Sequence, residues 1–587
     1  MNLLFDIETD GIKPTMVHCI VVLNVDTEEL HRFDPLTITE GIKLLQKATK
    51  LIGHNILCYD IPVIKNLLGV DLSDKKIIDT LVLSRLFNPS REGGHGLESW
   101  GHRLKYHKGD YGKNIEAWDS YNPEMMVYCI RDVLLNLKVY KALKVESRGF
   151  TSKSVVLEHS VAKIINTQID NGFMLDMQSA IILLSSLNDK VSLLEEDISK
   201  SFTPKKTEVV ITPKFTAKGL LSKIGKKQDG TGAHLTDKEY EQFLLNKFTP
   251  ITRTTYKDFN INSRQQIGEY LVGLGWKPKK FTPTGQPVVD EKTLSEAKHI
   301  PEALKISEYL MLQKRIAQVK SWIEVVENDD RVRGYVNPNG AVTSRMTHSK
   351  PNMAQIPSLT SPYGKECREC WTVPKGYKLV GIDASQLELR CLAHYMNNKE
   401  YIHEVTDGDI HTANQKLAGL ESRNQAKTFI YALLYGAGDE KVGQVVGGNK
   451  KDGTKLRKRF DNNLPSFKAF RDRVSREARQ GFIKAIDGRK LEVRSEHRSL
   501  NTLLQGCGSI IMKEGLVLLN NKIKQKNLDA KFVANVHDEW QLEVKEEQAD
   551  LVGQLGVQAL REVTCNFKLN CPLDGEYKIG NNWAETH

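Results

Sequence analysis

"KFVANVHDEWQLEV", residues 531–544, alternates apolar and other residues toward a centre of His537, Asp538 and Glu539, after which the alternation resumes. The pattern predicts a strand–turn–strand shaped to pack on a core. Pleating sends neighbouring side chains to opposite faces, so the adjacent carboxylates of Asp538 and Glu539 cannot both serve one solvated face. A divalent metal shared with another carboxylate elsewhere in the chain would explain an acid at this tip.

The chain of 587 residues is too long for one core, and three or four domains are expected. With 40% apolar and 27% charged residues it has ordinary soluble composition, and its net charge of +10 leans mildly toward polyanions. Nine scattered cysteines point to a reducing compartment rather than a disulfide framework. "CREC" (Cys367, Cys370) lacks a second pair at zinc spacing. "MNLLFDIETD" has no basic leader, and no apolar run approaches the ~20 residues of a membrane span. A soluble cytoplasmic protein with no membrane partner is expected.

Residues 1–150 alternate strands with helical stretches, the α/β pattern, and 155 to about 200 read as helical. Residues 203–258 break the rhythm: "TPKKTEVVITPKFTAKGLLSKIGKKQ" holds seven lysines against one glutamate and reads as a basic, loop-rich insertion. Helical periodicity returns in "PEALKISEYLMLQKRIAQVKSWIEVV", and elements mix after 330, with a long helical region around 410–480. "KKDGTKLRKR" (450–459) reads as a solvated loop.

"FDIETD" places Asp6 and Glu8 two apart, on one side of a strand. Acids at a strand end are ordinarily just solvated, but "GHNILCYD" adds Asp60, and "YCIRD" adds Tyr128 and Asp132 at helical spacing. Four carboxylates and a tyrosine could hold two metals and orient a water for phosphodiester cleavage. D-x-E, N-x(4)-D and Y-x-x-x-D in this order resemble the DEDD-type 3′→5′ proofreading exonucleases, tyrosine variety. The resemblance implies Asp6, Glu8 and Asp132 as metal ligands, Asp60 as an outer or second-metal ligand, and Tyr128 orienting the attacking water.

A partner for Asp538 appears in "LVGIDASQLELRCLAH" (379–394), where Asp383 ends a strand-like run. Two carboxylates from different strands can hold two Mg²⁺ ions roughly 3.5–4 Å apart for in-line phosphoryl transfer. Between them "SRNQAKTFIYALLYGAG" spaces Arg423, Lys427, Tyr431 and Tyr435 by four. Such a stripe alone is commonly a solvated amphipathic face. With His411 in "DIHT" upstream, it becomes a phosphate grip with a flat surface for a base or sugar.

"DASQLELR", R-x-x-x-K-x-x-x-Y-x-x-x-Y-G and "VHDE" resemble motifs A, B and C of family A DNA polymerases. The likeness is greatest to the replicative enzymes of short-tailed lytic phages and runs through "NPNGAVTSRMTHSKPNMAQIPS" and the ending "NNWAETH". It implies a multidomain α/β and α+β chain. A ribonuclease H-like exonuclease domain (1–150) would precede a right-hand polymerase: thumb and connecting helices (151–330), palm (331–410), fingers (411–485) and palm again (486–587). The separate 5′-nuclease of bacterial relatives is expected to be missing. The resemblance also implies Asp383 and Asp538 as metal ligands supported by Glu539, and two Mg²⁺ per site, replaceable by Mn²⁺. Arg423, Lys427 and His411 would hold the incoming dNTP, with Glu388 and Tyr431 at its sugar. The tyrosine form at 431 is associated with acceptance of dideoxynucleotides. Tyr435 would stack near the templating base, and His537 would flank Asp538 beside the DNA. His497, Asn501 and Gln505 would face the minor groove, where acceptors are shared between base pairs. Arg345, Asn352 and Gln355 would grip the primer–template DNA. His587, the last residue, is expected to fray.

Family likeness also makes 203–258 a candidate seat for a thioredoxin-like processivity factor, the alternative being a lysine-rich loop that touches DNA phosphates directly. A replicative helicase–primase is a further expected partner. Two rivals remain at this point. A nuclease that merely holds DNA would lack a ligand or phosphate cation in the second cluster, and none is missing. A basic single-strand-binding protein would carry clustered aromatics and no ordered acidic set.

Overall fold

Strand β1 (Asn2–Thr9) sits at the centre of a five-stranded sheet. On one side β2 (Val17–Asn24) pairs antiparallel with β1 and β3 (Leu30–Phe33) antiparallel with β2, and on the other β4 (Lys50–Gly53) pairs parallel with β1 and β5 (Lys76–Asp79) parallel with β4. Pleating divides β1 cleanly. Leu3, Phe5 and Ile7 join one core, while Leu4 joins a second core with Met125, Cys129 and Val133. Helix α1 (Asp60–Leu68) packs in the first core and α2 (Pro123–Glu146) covers the second face. The computed structural model describes residues 1–202 and 204–587, with side chains described at all of these but 115, 205 and 257.

The chain divides into two units, Met1–Ser179 with Glu324–His587, and Ala180–Ile323. The first unit also contains a four-stranded antiparallel sheet. Its strands are β6 (Tyr377–Ala384), β7 (Ala530–Val536), β8 (Glu539–Lys545) and β9 (Gly575–Gly580), in the order β7-β8-β6-β9. Val380, Ile382, Trp540, Leu542 and Val544 point into one large core. The alternate positions Asp383, Glu539, Gln541 and Glu543 make the opposite face polar. Helices α3 (Ser152–Asn171) and α8 (Ala549–Phe567) pack on this sheet, and α4 (Ile410–Ala418), α5 (Arg423–Leu434), α6 (Lys450–Asn463) and α7 (Ser499–Gln525) share the same core. By length and composition alone, Glu496–Gln525 could cross a membrane, but 78% of its most apolar window is buried inside the protein, as in a core helix.

A cluster of charges is sealed between α3 and α7. Glu158 accepts from Lys513 Nζ at 2.7 and 2.9 Å and from Arg489, which also pairs with Asp487 at 2.7 Å. All four side chains are buried. Burial works against the Glu158 charge, and Lys513 and Arg489 overcome it, so the carboxyl lies below its ordinary value. A depressed carboxylate contributes stability above the unfolded pKa and loses it as pH falls. Glu158→Gln leaves the buried Lys513 ammonium without a carboxylate partner, while Arg489 keeps Asp487, and should cost about 3–5 kcal/mol at neutral pH. Urea unfolding of the two proteins should differ less in acid, where the wild type also loses the charge.

In the second unit, residue 203, where the basic insertion begins, lies outside the described residues. The rest corrects the expectation of a loop-rich segment. Ile251–Lys257, Lys205–Thr212, Ile224–Lys227 and Gly232–His234 form a four-stranded antiparallel sheet in that order, with a capped helix at Asp237–Leu245. Ile211, Leu221, Ala233, Phe243 and Ile251 supply its small core. Strands of only three to eight residues give too little length for the alternation on which a sequence reading depends. The reading of 450–459 as a loop is corrected too, because it opens α6, capped by Asn449. Gly453 reads as a helix breaker but serves close approach: a Cβ there would meet the Asp439 carbonyl oxygen at 1.7 Å.

Candidate active sites

The β1 pleat that sends Leu4 beneath α2 sends Asp6 and Glu8 the same way, toward Tyr128, Cys129 and Asp132 on that helix. Ligand atoms of Asp6, Glu8 and Cys129 lie within 4.8 Å of one another. Asp60, at the start of α1, is buried and accepts the Ile7 N–H at 3.2 Å. Burial pushes the Asp6 carboxyl well up, and the charges of Asp60 and Asp132 add to it. Burial and then Asp6 do the same to Glu8, and burial takes Asp60 up to about 7. Glu8 Oε1 and Asp132 Oδ1 are buried without a hydrogen-bond partner. Clustered hard oxygens, uncompensated charge and two bare buried oxygens fit a divalent cation. The Cys129 thiol turns to the Asp6 carbonyl (3.6 Å) and carboxylate (3.9 Å).

One member of this site carried no signal in the sequence. Lys108, in "KYHKGDYG", places Nζ 2.5 Å from Asp132 Oδ2 and 4.9 Å from the centre of the Tyr128 ring. Burial opposes its charge, and Asp132 overcomes that and holds the ammonium above its ordinary value. Tyr111 and Trp118 pack on the Tyr128 ring at 5.5 and 5.9 Å, fixing the loop that bears Lys108.

At the second sheet, Val536 pairs with Glu539, leaving His537–Asp538 as a two-residue turn with His537 at φ 57°. On β6, Asp383 lies opposite Glu539 on one side and Glu576 on the other, and the Ala384 N–H donates to the Asp538 carbonyl at 3.0 Å. Burial, then the charges of Asp538, Glu539 and Glu576, push the Asp383 carboxyl up to about 8. The structure therefore brings Asp383 and Asp538 together, and their unbalanced charge suits a divalent cation. The neighbouring acids part company. Asp538 stays half-open, whereas Glu539 is buried and accepts from Trp583 Nε1 (2.7 Å), His587 Nδ1 (2.7 Å) and the Gln541 amide. His587 is thus not frayed. Thr586 Oγ1 donates to Gln541 Oε1 at 2.9 Å, and Gly381 permits the approach, since a Cβ there would meet the Thr586 carbonyl oxygen at 2.3 Å.

Helix α5 starts at a capping box made by Ser422 and Gln425, which aims Arg423 outward. Arg423 Nε donates to Asp409 Oδ2 at 2.8 Å, and Asp409 also caps α4 through the N–H groups of His411 and Thr412. Lys427 is exposed one turn on. His411 is 7% exposed with Nδ1 unpartnered, and burial, then Arg423 and Lys427, hold its pKa below the ordinary value. Its ring lies 6.4 Å from that of Tyr431, which lies 6.1 Å from that of Tyr435. Glu388 accepts from the Tyr435 hydroxyl at 2.8 Å and from Arg345 Nη2 at 3.1 Å. Arg345 and His537 line one cavity with His348, Ser509 and Asn535. Asn352 has a buried Oδ1 without a partner, and Gln355 is exposed. His497 stands just before α7, and Asn501 and Gln505 lie half-buried on its first turns.

The model of DNA polymerase family A matches residues 234–585. The chain is 34% identical to the DNA-directed DNA polymerase of Enterobacteria phage T3 and 33% identical to that of Escherichia phage T7. The matches cover 100% and 99% of both partners respectively. The POL domain of Pol1 from M. smegmatis, solved in complex with DNA primer-template and dNTP, superposes with a TM-score of 0.76. That likeness covers 100% of this chain and 95% of that one at 18% identity, and it shows the shared fold. With a family match over more than half its length and full-length relatives a third identical, the chain belongs to DNA polymerase family A.

Proposed function

We propose that the chain is a DNA-directed DNA polymerase of the phage type, extending a primer 3′ end with dNTPs, and that it carries a separate 3′→5′ proofreading exonuclease site at its amino end. The observation that carries the reading is the meeting of Asp383, near the end of β6, with Asp538, in the β7–β8 turn, where the Asp538 charge also reaches Tyr431 of α5. Mg²⁺ bound at these carboxylates would lower the pKa of the primer hydroxyl and neutralise charge on the leaving pyrophosphate. The residues do the rest. Asp383 and Asp538 fix the reacting end, and Glu539 buttresses that corner. Arg423, held in its outward pose by Asp409, and Lys427 receive triphosphate oxygens, with neutral His411 adding a hydrogen bond. Glu388, tied to both Tyr435 and Arg345, walls the sugar pocket together with Tyr431. Arg345, Asn352, Gln355, His497, Asn501, Gln505 and His537 hold primer and template.

For the amino-terminal site, the reading rests on the two bare buried oxygens and on a sheet order that suits a ribonuclease H-like domain. Metals on Asp6, Glu8, Asp60 and Asp132 would serve phosphodiester cleavage, with Tyr128 orienting water. The insertion fits a processivity role, since Lys214, Lys218, Lys226 and Lys227 stand exposed or half-exposed on it. Extension of a long template with added thioredoxin tests this role: stimulation marks a docked factor, and its absence marks direct phosphate contact. Primer extension with and without Mg²⁺ and dNTPs tests the main reading, and failure to extend with both present would refute it.

His587→Ala removes one of three donors to Glu539. It should slow extension roughly 10-fold, the worth of a hydrogen bond to a charged group, with 3′→5′ digestion of single strands unchanged.

A further inference from the structure

Asp132 divides its carboxylate. Oδ2 is bound by the Lys108 ammonium at 2.5 Å, while Oδ1 is buried and unpartnered, as is Glu8 Oε1 beside it. Lys108 is also the cation whose charge opposes the upward shift at Asp6, at Glu8 and at Asp132. It is not a surface lysine that happens to reach an acid. Its side chain is 20% exposed, against 74% for Lys113 of the same loop. The packing of Tyr111 and Trp118 on Tyr128 holds the loop over the site, and Gly109, at φ 93°, turns the chain directly after the lysine.

We propose that Lys108 is a positioning residue of the amino-terminal site, a resident counter-ion that keeps the carboxylate cluster open and competes with the divalent ion for Asp132. This rests on the exonuclease reading only for the identity of the reaction, because the competition itself is a property of the cluster. Two effects oppose each other when Lys108 is removed. Loss of a partner that orients a metal ligand typically weakens metal binding ~10–100-fold. Loss of a positive charge beside a doubly charged ion, in a pocket poor in water, strengthens binding, and at such short range this repulsion is the larger effect. The net result is tighter binding.

The test uses the full chain with Asp383→Asn and Asp538→Asn, so that the amino-terminal site dominates Mn²⁺ binding, titrated by electron paramagnetic resonance. Lys108→Met should bind Mn²⁺ at least 10-fold more tightly, and Lys108→Arg should stay within about 3-fold of the parent. Unchanged or weaker binding in Lys108→Met would overturn the proposal. In the otherwise unaltered chain, Lys108→Met should move the Mn²⁺ dependence of single-strand 3′→5′ digestion to lower concentration. Primer extension by the same protein reports that it is folded. If Asp6→Ala removes the Mn²⁺ site but no preparation digests DNA, the exonuclease reading fails while the competition stands. If digestion is present and Mn²⁺ affinity ignores residue 108, the competition fails alone.

Discussion

Asp383→Ala and Asp538→Ala are each expected to reduce primer extension by roughly 10³-fold or more, while 3′→5′ digestion of single-stranded DNA continues at the wild-type rate. Losing a single group that stabilises charge in a transition state costs roughly 10²–10³ in rate. These two groups would hold the charge on which both the attacking and the leaving oxygen depend. The independence of digestion follows from architecture. Asp383 is on β6 and Asp538 in the turn that joins β7 to β8, whereas Asp6 and Glu8 are on β1 of a different sheet. Asp383→Asn is the sharper variant, since it keeps the volume and removes only the charge. If it extended primers normally, the carboxylate pair would have no part in synthesis. Loss of both activities together would argue against two sites.

The carboxylates were legible in the sequence because each holds a definite place in a periodic pattern. Asp383 ends an apolar strand, Asp538 sits at the tip of a hairpin, and Asp6 and Glu8 share the parity of Leu4. The cationic stripe was legible for a similar reason, its spacing of four matching the turn of α5. What the sequence could not convey was which polar groups would be buried against which. Lys108 has no periodic neighbour, and it enters the amino-terminal site through a loop whose course depends on ring packing at Tyr128. His587 looked like a loose end because nothing in "NNWAETH" reveals that Gly381 leaves room for the preceding Thr586 beside β6. Asp409, which steadies Arg423, was hidden inside "DIHT" as an ordinary helix cap. In the insertion, strands as short as three residues left the alternation too little length to show.

Replacing Asp6 and Glu8 together with alanine should produce the reverse phenotype: digestion of a single-stranded 3′ end lost by roughly 10³-fold or more, with primer extension intact. The double variant is the appropriate one because ligand atoms of the two carboxylates lie within 4.8 Å of each other, so that either alone could retain part of a bound ion's coordination. It should also be at least as stable as the parent in the absence of metal. Buried carboxyls whose pKa values are raised by desolvation and mutual repulsion destabilise the fold when ionised, so their removal relieves a cost. The sign is open to a pH test. A raised carboxyl pKa gives stability that is present in acid and lost as pH rises through the folded value, so the parent should gain on the variant as pH falls toward the ordinary carboxylate range. Thermal unfolding in chelator across that range reads this directly. A double variant that is much less stable at neutral pH would mean that Asp6 and Glu8 are held by protein contacts rather than kept for an ion.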